Sequence, residues 1–519
     1  MMNKKTINKF EPYWPETLIF WGAGATASLG LSSTSKIGEI IYILSGINSG
    51  VNLKERIDKA FPSVEEKVRY ELESLITILD EESNEDEAKE NLGFSKKYII
   101  ELKAIYNWFI VKEIMKRCPG IKNGDFNLVD LYNLIDLHIQ TGQGFNTEKT
   151  YIRPEQLIIA RNTLNMIITI IHAIEYRLAL RDKRKEINYY YEFACFLGEI
   201  MQNEGVKRID DGIKSYHRDF YLFSYAVISM NWDPMFLWIL FNSHRKLNSN
   251  SKSIKLFTDL SYFMAVREIE GDSPSHFFPM NETAVQRLNY NEGLTGEIFR
   301  IGKFYFPHGC HGFRECPNCG KLTFYLGDEW NIFSESLFPP QIIPSLAYNN
   351  YRSLEEKEKY DYGKVDAIQC THCGHMTETH HTLLEMPTNF KGSHPSFIEE
   401  IERDMKLAIQ KAKHIIFMGY SLPKDDLIYR SILAARKQIG KDSPKCSIVN
   451  FDKSLPDKWL YKKQLLSYNI NNSKREIFNN ISEIFGEDNI RFYGKGIPEI
   501  FLENEKVSKK KIEKLLKWV

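Results

Sequence analysis

Residues 18–30 read LIFWGAGATASLG, and this stretch narrows the possible folds more than any other part of the chain. A short apolar run (Leu18, Ile19, Phe20, Trp21) meets a cluster of small residues. The pattern predicts a buried strand that turns sharply into a helix. Gly22 and Gly24 leave no side chain in the way and tolerate unusual backbone angles. Main-chain N–H groups of Gly22, Ala23, Gly24 and Ala25, with Thr26 behind them, could then meet a phosphate at the helix start. Small-residue turns after a strand are also common packing devices, and the stretch alone does not separate the two readings.

Other runs repeat the theme. Residues 220–230 have a buried-strand texture and lead into Asn231-Trp232-Asp233-Pro234, where the pre-proline position ends the strand. Residues 297–306 read as a strand ending at Pro307-His308-Gly309, and 414–418 as one broken by Gly419-Tyr420-Ser421-Leu422-Pro423. Residues 446–450 and 490–493 complete the set, and 273–279 and 281–293 look like loop. A helix over 33–44 (Ile37, Ile40, Ile41, Leu44) is expected to pack on the sheet, and 397–413 is also helical. Strands alternating with helices predict an α/β fold with a parallel sheet covered on both faces. Ligands bind such sheets beyond the carboxyl ends of the strands. The polar ends at 22–28, 231–233, 308, 419–421 and 450–452 would then share one edge.

From about residue 53 to 219 the chain is rich in Leu, Ile, Glu, Lys and Tyr at three- and four-residue spacing, which predicts a helical insertion. The 519 residues suffice for two or three domains, or for one large domain carrying such an insertion. Lys plus Arg equals Asp plus Glu at 68 each, so no global charge draws the chain to nucleic acid or an anionic membrane. The N-terminal residues lack the apolar core of a secretory peptide. The apolar stretch 164–180 is interrupted by Asn165, His172, Glu175 and Arg177, which suits a buried helix better than a membrane span. Residues 80–90 are acidic and read as an exposed loop. At the C-terminus, Ile512, Leu515, Leu516 and Trp518 can share one helical face, giving a docking helix with solvated lysines. A nucleic-acid or partner tail is the other reading of that segment.

Four of the eight cysteines form two pairs, Cys316-Pro317-Asn318-Cys319-Gly320 and Cys370-Thr371-His372-Cys373-Gly374. Four thiolates at this spacing suit a closed, tetrahedral, structural zinc site; the alternative is chance pairing of buried thiols. Reduced thiols point to the cytoplasm. Cys310 and His311 read as local packing, and Asp425-Asp426 as the cap of the next helix. His308 is either a structural hydrogen-bonder or, on the ligand edge, a base for a sugar hydroxyl. Asn231 and Asp233 are either turn-formers or groups that orient a ribose or a water.

The ordered set Gly22-Ala23-Gly24-Ala25-Thr26, Asn231-x-Asp233, His308-Gly309, two C-x-x-C pairs, Gly419-Tyr420-Ser421-Leu422 and Asn450 resembles the sirtuin (silent information regulator) family. The resemblance implies an NAD-binding, Rossmann-like domain with a small zinc module. By match, Gly22, Ala23, Gly24 and Ala25 would hold the pyrophosphate, and Gly419, Ser421 and Asn450 the phosphate and adenosine side. Asn231 and Asp233 would sit by the nicotinamide and its ribose, with His308 as the base on the ribose hydroxyls. The Pro-Asp-Phe-Arg run of deacetylating members is absent from residues 31–36, Met230 stands where they carry glutamine, and no acyl-peptide segment is recognisable around Met386-Pro387. These departures, the large insertion and the form G-Y-S-L-P-x-D-D over 419–426 are similar to the sirtuin-like NADases of bacterial antiphage defence.

The expected architecture is therefore an α/β, Rossmann-like parallel sheet with a large helical insertion and a zinc-ribbon module. Its divisions run 1–52 (first part of the sheet domain), 53–219 (insertion), 220–309 (sheet domain with catalytic residues), 310–385 (zinc module), 386–500 (last strands) and 501–519 (basic tail). The expected activity is hydrolysis of NAD+ to ADP-ribose and nicotinamide, with Asn231 and His308 catalytic. NAD-dependent protein deacylation and a silent nucleotide-sensing or oligomerising module are the alternatives. A homo-oligomer, a separate activating partner or a phage trigger is expected as control, and no membrane or nucleic-acid partner.

Overall fold

The computed structural model describes residues 12–80, 96–148, 150–249, 254–259, 265–270, 273–277, 281–291, 296–315, 318–319, 322–325, 368–369, 376–377, 382–384, 396–423, 426–438, 443–465 and 467–518. Eight strands build the central sheet: β1 (Thr17–Trp21), β2 (Leu222–Ser229), β3 (Ile254–Asp259), β4 (Ile298–Tyr305), β5 (His414–Met418), β6 (Lys445–Val449), β7 (Trp459–Tyr461) and β8 (Ile490–Tyr493). Their order is β7-β8-β6-β5-β1-β2-β4-β3, and every neighbouring pair is parallel except β7 with β8. The expected mixed α/β fold with a mostly parallel sheet is thus present.

Strand β1 lies inside the sheet and has no water-facing side. Leu18, Ile19 and Phe20 are fully buried and Trp21 nearly so, which is why this strand reads as an unbroken apolar run. Trp21 stacks on Phe236 with ring centroids 4.0 Å apart. After β1 the chain adds β2 on one side, and only later β5 on the other. The β1/β5 crevice is therefore the point where the strand order reverses, the place where such sheets bind ligands.

The helices that position the site are α1 (Thr34–Ser45), α2 (Pro154–Asp182), α3 (Arg184–Asp210), α4 (Met235–Ser249), α5 (Glu282–Tyr290), α6 (Ser396–Lys411), α7 (Leu427–Gln438) and α8 (Lys509–Leu516). Two hydrophobic cores result. In one, Ile37, Ile41 and Leu44 of α1 join Leu75, Trp108, Leu131 and Leu164 of the inserted helices. The α1 stripe thus packs into the helical unit and not on the sheet, because the helices that follow supply its apolar partners. The other core is the sheet's, and Tyr176, Ala179 and Leu180 of α2 belong to it together with α3. Helix α2 therefore crosses from one core to the other near residue 175, well before the boundary expected at 219. Its length and composition would let it span a membrane, but 72% of its apolar window is buried inside the protein.

A second, five-stranded sheet runs in the order Thr382–Leu384, Gly309–Glu315, Leu322–Tyr325, Ala265–Glu270, Ser273–Phe277. Residues 273–277 are thus strand where a loop was expected. Likewise 282–290 form α5, because Asn281 caps it by accepting the Ala284 N–H at 2.9 Å and Val285 is buried. Of the acidic stretch expected to be exposed, Asp80 is buried and ion-paired with Lys112, and 81–90 lie outside the described residues.

Helix α8 docks as the sequence suggests, burying Ile512, Leu515 and Leu516. Its orphan carbonyls are satisfied at the amino ends of β1, β5 and β8. Thr17 Oγ1 and His414 Nδ1 donate to the Leu516 carbonyl at 3.1 and 3.0 Å, and Arg491 donates to those of Lys514 and Lys517 at 2.6 and 3.2 Å.

One buried ion cluster ties β3, β4, α5 and α6 together. Lys303 Nζ lies 2.6 Å from Glu282, 2.7 Å from Asp404 and 3.5 Å from Asp259, and Arg218 reaches Glu282 at 2.7 Å. Burial works against the Lys303 charge, but the carboxylates around it hold its pKa well above the ordinary lysine value. Lys303→Met leaves these carboxylates without their shared cation and is expected to cost ~3–5 kcal/mol, read as a lower denaturation midpoint.

Candidate active site at the sheet switch point

A cavity of about 190 Å³ opens at the carboxyl ends of β1, β2, β4 and β5. Its walls include Gly22, Ala23, Asn231, Asp233, His308, Gly419 and Ser421, so four of the five predicted strand ends converge there. Asn450, at the fifth, does not line it. Its Oδ1 accepts from Lys474 Nζ at 2.9 Å, and its N–H donates to the Tyr493 carbonyl at 3.1 Å.

The glycines explain how two turns fit one crevice. Gly419 has φ +64°, and a Cβ on it would fall 2.1 Å from the Ala25 nitrogen. A Cβ on Gly22 would fall 2.7 Å from the Gly419 oxygen. The β1 and β5 turns therefore lie backbone against backbone, and hydrogen bonds join them. Gly22 N–H donates to Met418 at 2.9 Å, Gly24 N–H to Gly419 at 3.0 Å, and Ala25 N–H to Gly22 at 2.8 Å. Those three donors are committed inside the protein, so a phosphate on this turn would be left with the N–H of Ala23. Ala25 is also held from behind, since the Tyr190 hydroxyl on α3 donates to its carbonyl.

Asn231 sits just past β2 and is buried. Its Nδ2 donates to Thr26 Oγ1 at 3.3 Å, and its side chain also hydrogen-bonds the Asp233 carboxylate. With Nδ2 donating to Thr26, Oδ1 is the acceptor Asn231 can offer a ligand. Thr26 does not face the cavity; it positions Asn231. Burial raises the Asp233 carboxyl above the usual carboxylate range, opposed by His172, the Met235 N–H, Asn231 and Tyr176. His308, past β4, is 2% exposed, and Tyr429 of α7 meets its ring edge-on at 5.7 Å.

Several lining residues were not singled out from the sequence for a functional role. His172 comes from α2 and is 3% exposed. Its Nδ1 makes no hydrogen bond among the described residues and lies 3.4 Å from Glu175 Oε2. Glu175 in turn accepts the Ser32 N–H at 3.0 Å and the Ser32 hydroxyl, which clamps the segment after the glycine turn to the insertion. Ser32 and Thr34 line the cavity. Asp426, read as a helix cap, also lines it and accepts the Tyr420 hydroxyl. His311 belongs to the strand Gly309–Glu315, is fully buried, and meets the Thr169 hydroxyl at 2.9 Å through Nδ1. In the sequence His172 and Glu175 are polar residues breaking an apolar helix, a pattern that argues against a membrane span but names no cavity.

Cys319 is half-buried, whereas Cys316, Cys370 and Cys373 lie outside the described residues. No group of three metal-binding side chains occurs among the described residues. The first cysteine pair falls between antiparallel strands with Glu315 opposite Leu322, and the second between strands with Gln369 opposite Met376. No family model matches the chain, and no curated protein matches it.

Proposed function

We propose that this chain hydrolyses the nicotinamide–ribose bond of NAD+, giving ADP-ribose and nicotinamide. The observation that carries the reading is the convergence of the buried residues Asn231, Asp233 and His308 on one cavity at the sheet's switch point. The leaving group is a cationic pyridinium, so the bond breaks toward an oxocarbenium ion and needs no strong nucleophile. What the protein must supply is a held ribose, a placed water and electrostatic support. Asn231 Oδ1 accepts from a ribose hydroxyl or the water, and His308 polarises a ribose hydroxyl. Asp233, hydrogen-bonded to Asn231, helps to orient the ribose. The cavity, at about 190 Å³, is smaller than the ~300–1,000 Å³ of most ligand pockets. It suits the reactive end of the dinucleotide, with the adenosine end running outside it past Ser421 toward Asn450.

A Rossmann-like sheet domain and a structural zinc module belong to the same proposal. Support for zinc is that each C-x-x-C pair connects two paired antiparallel strands, the position of a metal knuckle. The metal would hold that module and take no part in the reaction. Uncontrolled NAD+ loss would deplete the host cell, so the proposal includes control by oligomerisation, a partner or a phage trigger, in a cytoplasmic role in antiphage defence.

Incubation of the protein with NAD+, with and without an acylated peptide, tests the reading through the nicotinamide and sugar products. ADP-ribose is expected without peptide. Acyl-ADP-ribose formed only with peptide would replace hydrolysis by deacylation, and an intact NAD+ pool would leave a non-enzymatic module or an enzyme silent until activated.

A further inference from the structure

Hydrolysis of NAD+ releases one proton. The C–N bond breaks with its electron pair passing to the pyridinium nitrogen, and nicotinamide departs neutral. Water then bonds to the ribose carbon and must lose a proton. His308 and Asn231 are occupied with the ribose in the reading above, so a separate acceptor for that proton is required near them. On the proposal that the cavity cleaves NAD+, we infer that His172, carried in by the helical insertion, is that acceptor and hence a further catalytic residue.

The environment of His172 fits a base. It lines the same cavity as Asn231, Asp233 and His308. Its side chain is about nineteen-twentieths buried, yet Nδ1 makes no hydrogen bond among the described residues. Glu175, one helical turn further along α2, places Oε2 3.4 Å from that nitrogen. The carboxylate is itself fixed by the Ser32 N–H and hydroxyl. Asp233 lies close enough to interact electrostatically with the ring. The geometry thus sets the ring at the cavity wall, with the Glu175 carboxyl beside it, to receive the water's proton. The ring's other neighbours are His311, 4.7 Å away between centroids, and Tyr176 at 6.4 Å. His311 already meets Thr169, and burial keeps the Tyr176 phenol protonated. Neither competes for the role. The insertion therefore supplies part of the reactive centre, and the segment clamped by Glu175 gives that part a fixed place beside the glycine turn.

Azide is an anion and attacks the ribose carbon without giving up a proton, so it replaces water only where the missing function is the base. His172→Ala is expected to lower hydrolysis by ~10²–10⁴-fold with NAD+ affinity retained. Azide should then restore turnover at least about tenfold, with ADP-ribosyl azide as product. The azide-to-water product ratio is read within one preparation and does not depend on the folded fraction. His172→Gln, closer in size, keeps the question open to measurement if the alanine variant fails to fold. It should show the same loss of hydrolysis at unchanged NAD+ affinity. Wild-type hydrolysis rates in either variant, or a lost rate that azide does not restore while NAD+ still binds, would overturn the assignment to His172 alone. An unmodified protein inert toward NAD+ both alone and in an extract of phage-infected cells would overturn the hydrolase reading itself, and the inference with it.

Discussion

Asn231→Ala and His308→Ala are each expected to lower NAD+ turnover by at least ~100-fold while leaving the fold intact. The two losses have different origins. Asn231 stands between Thr26, which fixes its amide at 3.3 Å, and Asp233, whose carboxylate it hydrogen-bonds. Alanine removes the ligand-facing oxygen and also frees Asp233 of one donor, so both groups lose their positioning role. His308 meets the Tyr429 ring edge-on, and its removal takes away the group that polarises the ribose. Turnover measured as nicotinamide release, with unfolding followed by circular dichroism in the same preparations, separates chemistry from collapse. Full activity in either variant removes that residue from the mechanism. Azide distinguishes both from His172, since neither variant lacks the base for water.

Much of this arrangement was legible in the chain because it is local. Each strand of the switch region is a short apolar run followed at once by the residues that face the cavity. Period and punctuation alone therefore place Gly22, Asn231, His308 and Gly419 on one edge. What was not legible is whatever depends on the inserted helices. Nothing in the spacing of α1 says that its stripe finds partners in the insertion and not on the sheet, because an apolar stripe specifies burial but not the surface that buries it. For the same reason His172 and Glu175 read as tolerated polar residues in a core helix. Only the crossing of α2 from one core to the other brings them to the cavity. Asn450 stands outside the cavity for a reason that is also not local. It lies at a strand end on the correct edge, but β6 is one strand beyond the crevice, and a lysine of the following segment takes its side chain.

The packing of the β1 and β5 turns also yields a second large effect, this one on stability. Gly419→Ala is expected to destabilise the protein by roughly 2–5 kcal/mol, summing left-handed strain and overpacking. The overpacking has no outlet, because the new Cβ would meet backbone at 2.1 Å (Ala25 nitrogen) and 2.3 Å (Gly24 carbon), and neither can rotate away. Gly30 supplies the control within the β1 turn. It has φ +86°, but nothing lies within 4 Å of the point a Cβ would occupy, so Gly30→Ala carries the backbone strain alone, roughly 1–2 kcal/mol. Denaturant midpoints of the two variants should therefore differ, with Gly419→Ala the lower. The same substitution would push apart the turns that carry Ala23 and Ser421, so any NAD+ turnover should fall with it and should be spared in Gly30→Ala. Equal midpoints would mean that the two turns are not packed backbone to backbone, and the small residues at 22–25 would then regain their reading as a cradle open to phosphate.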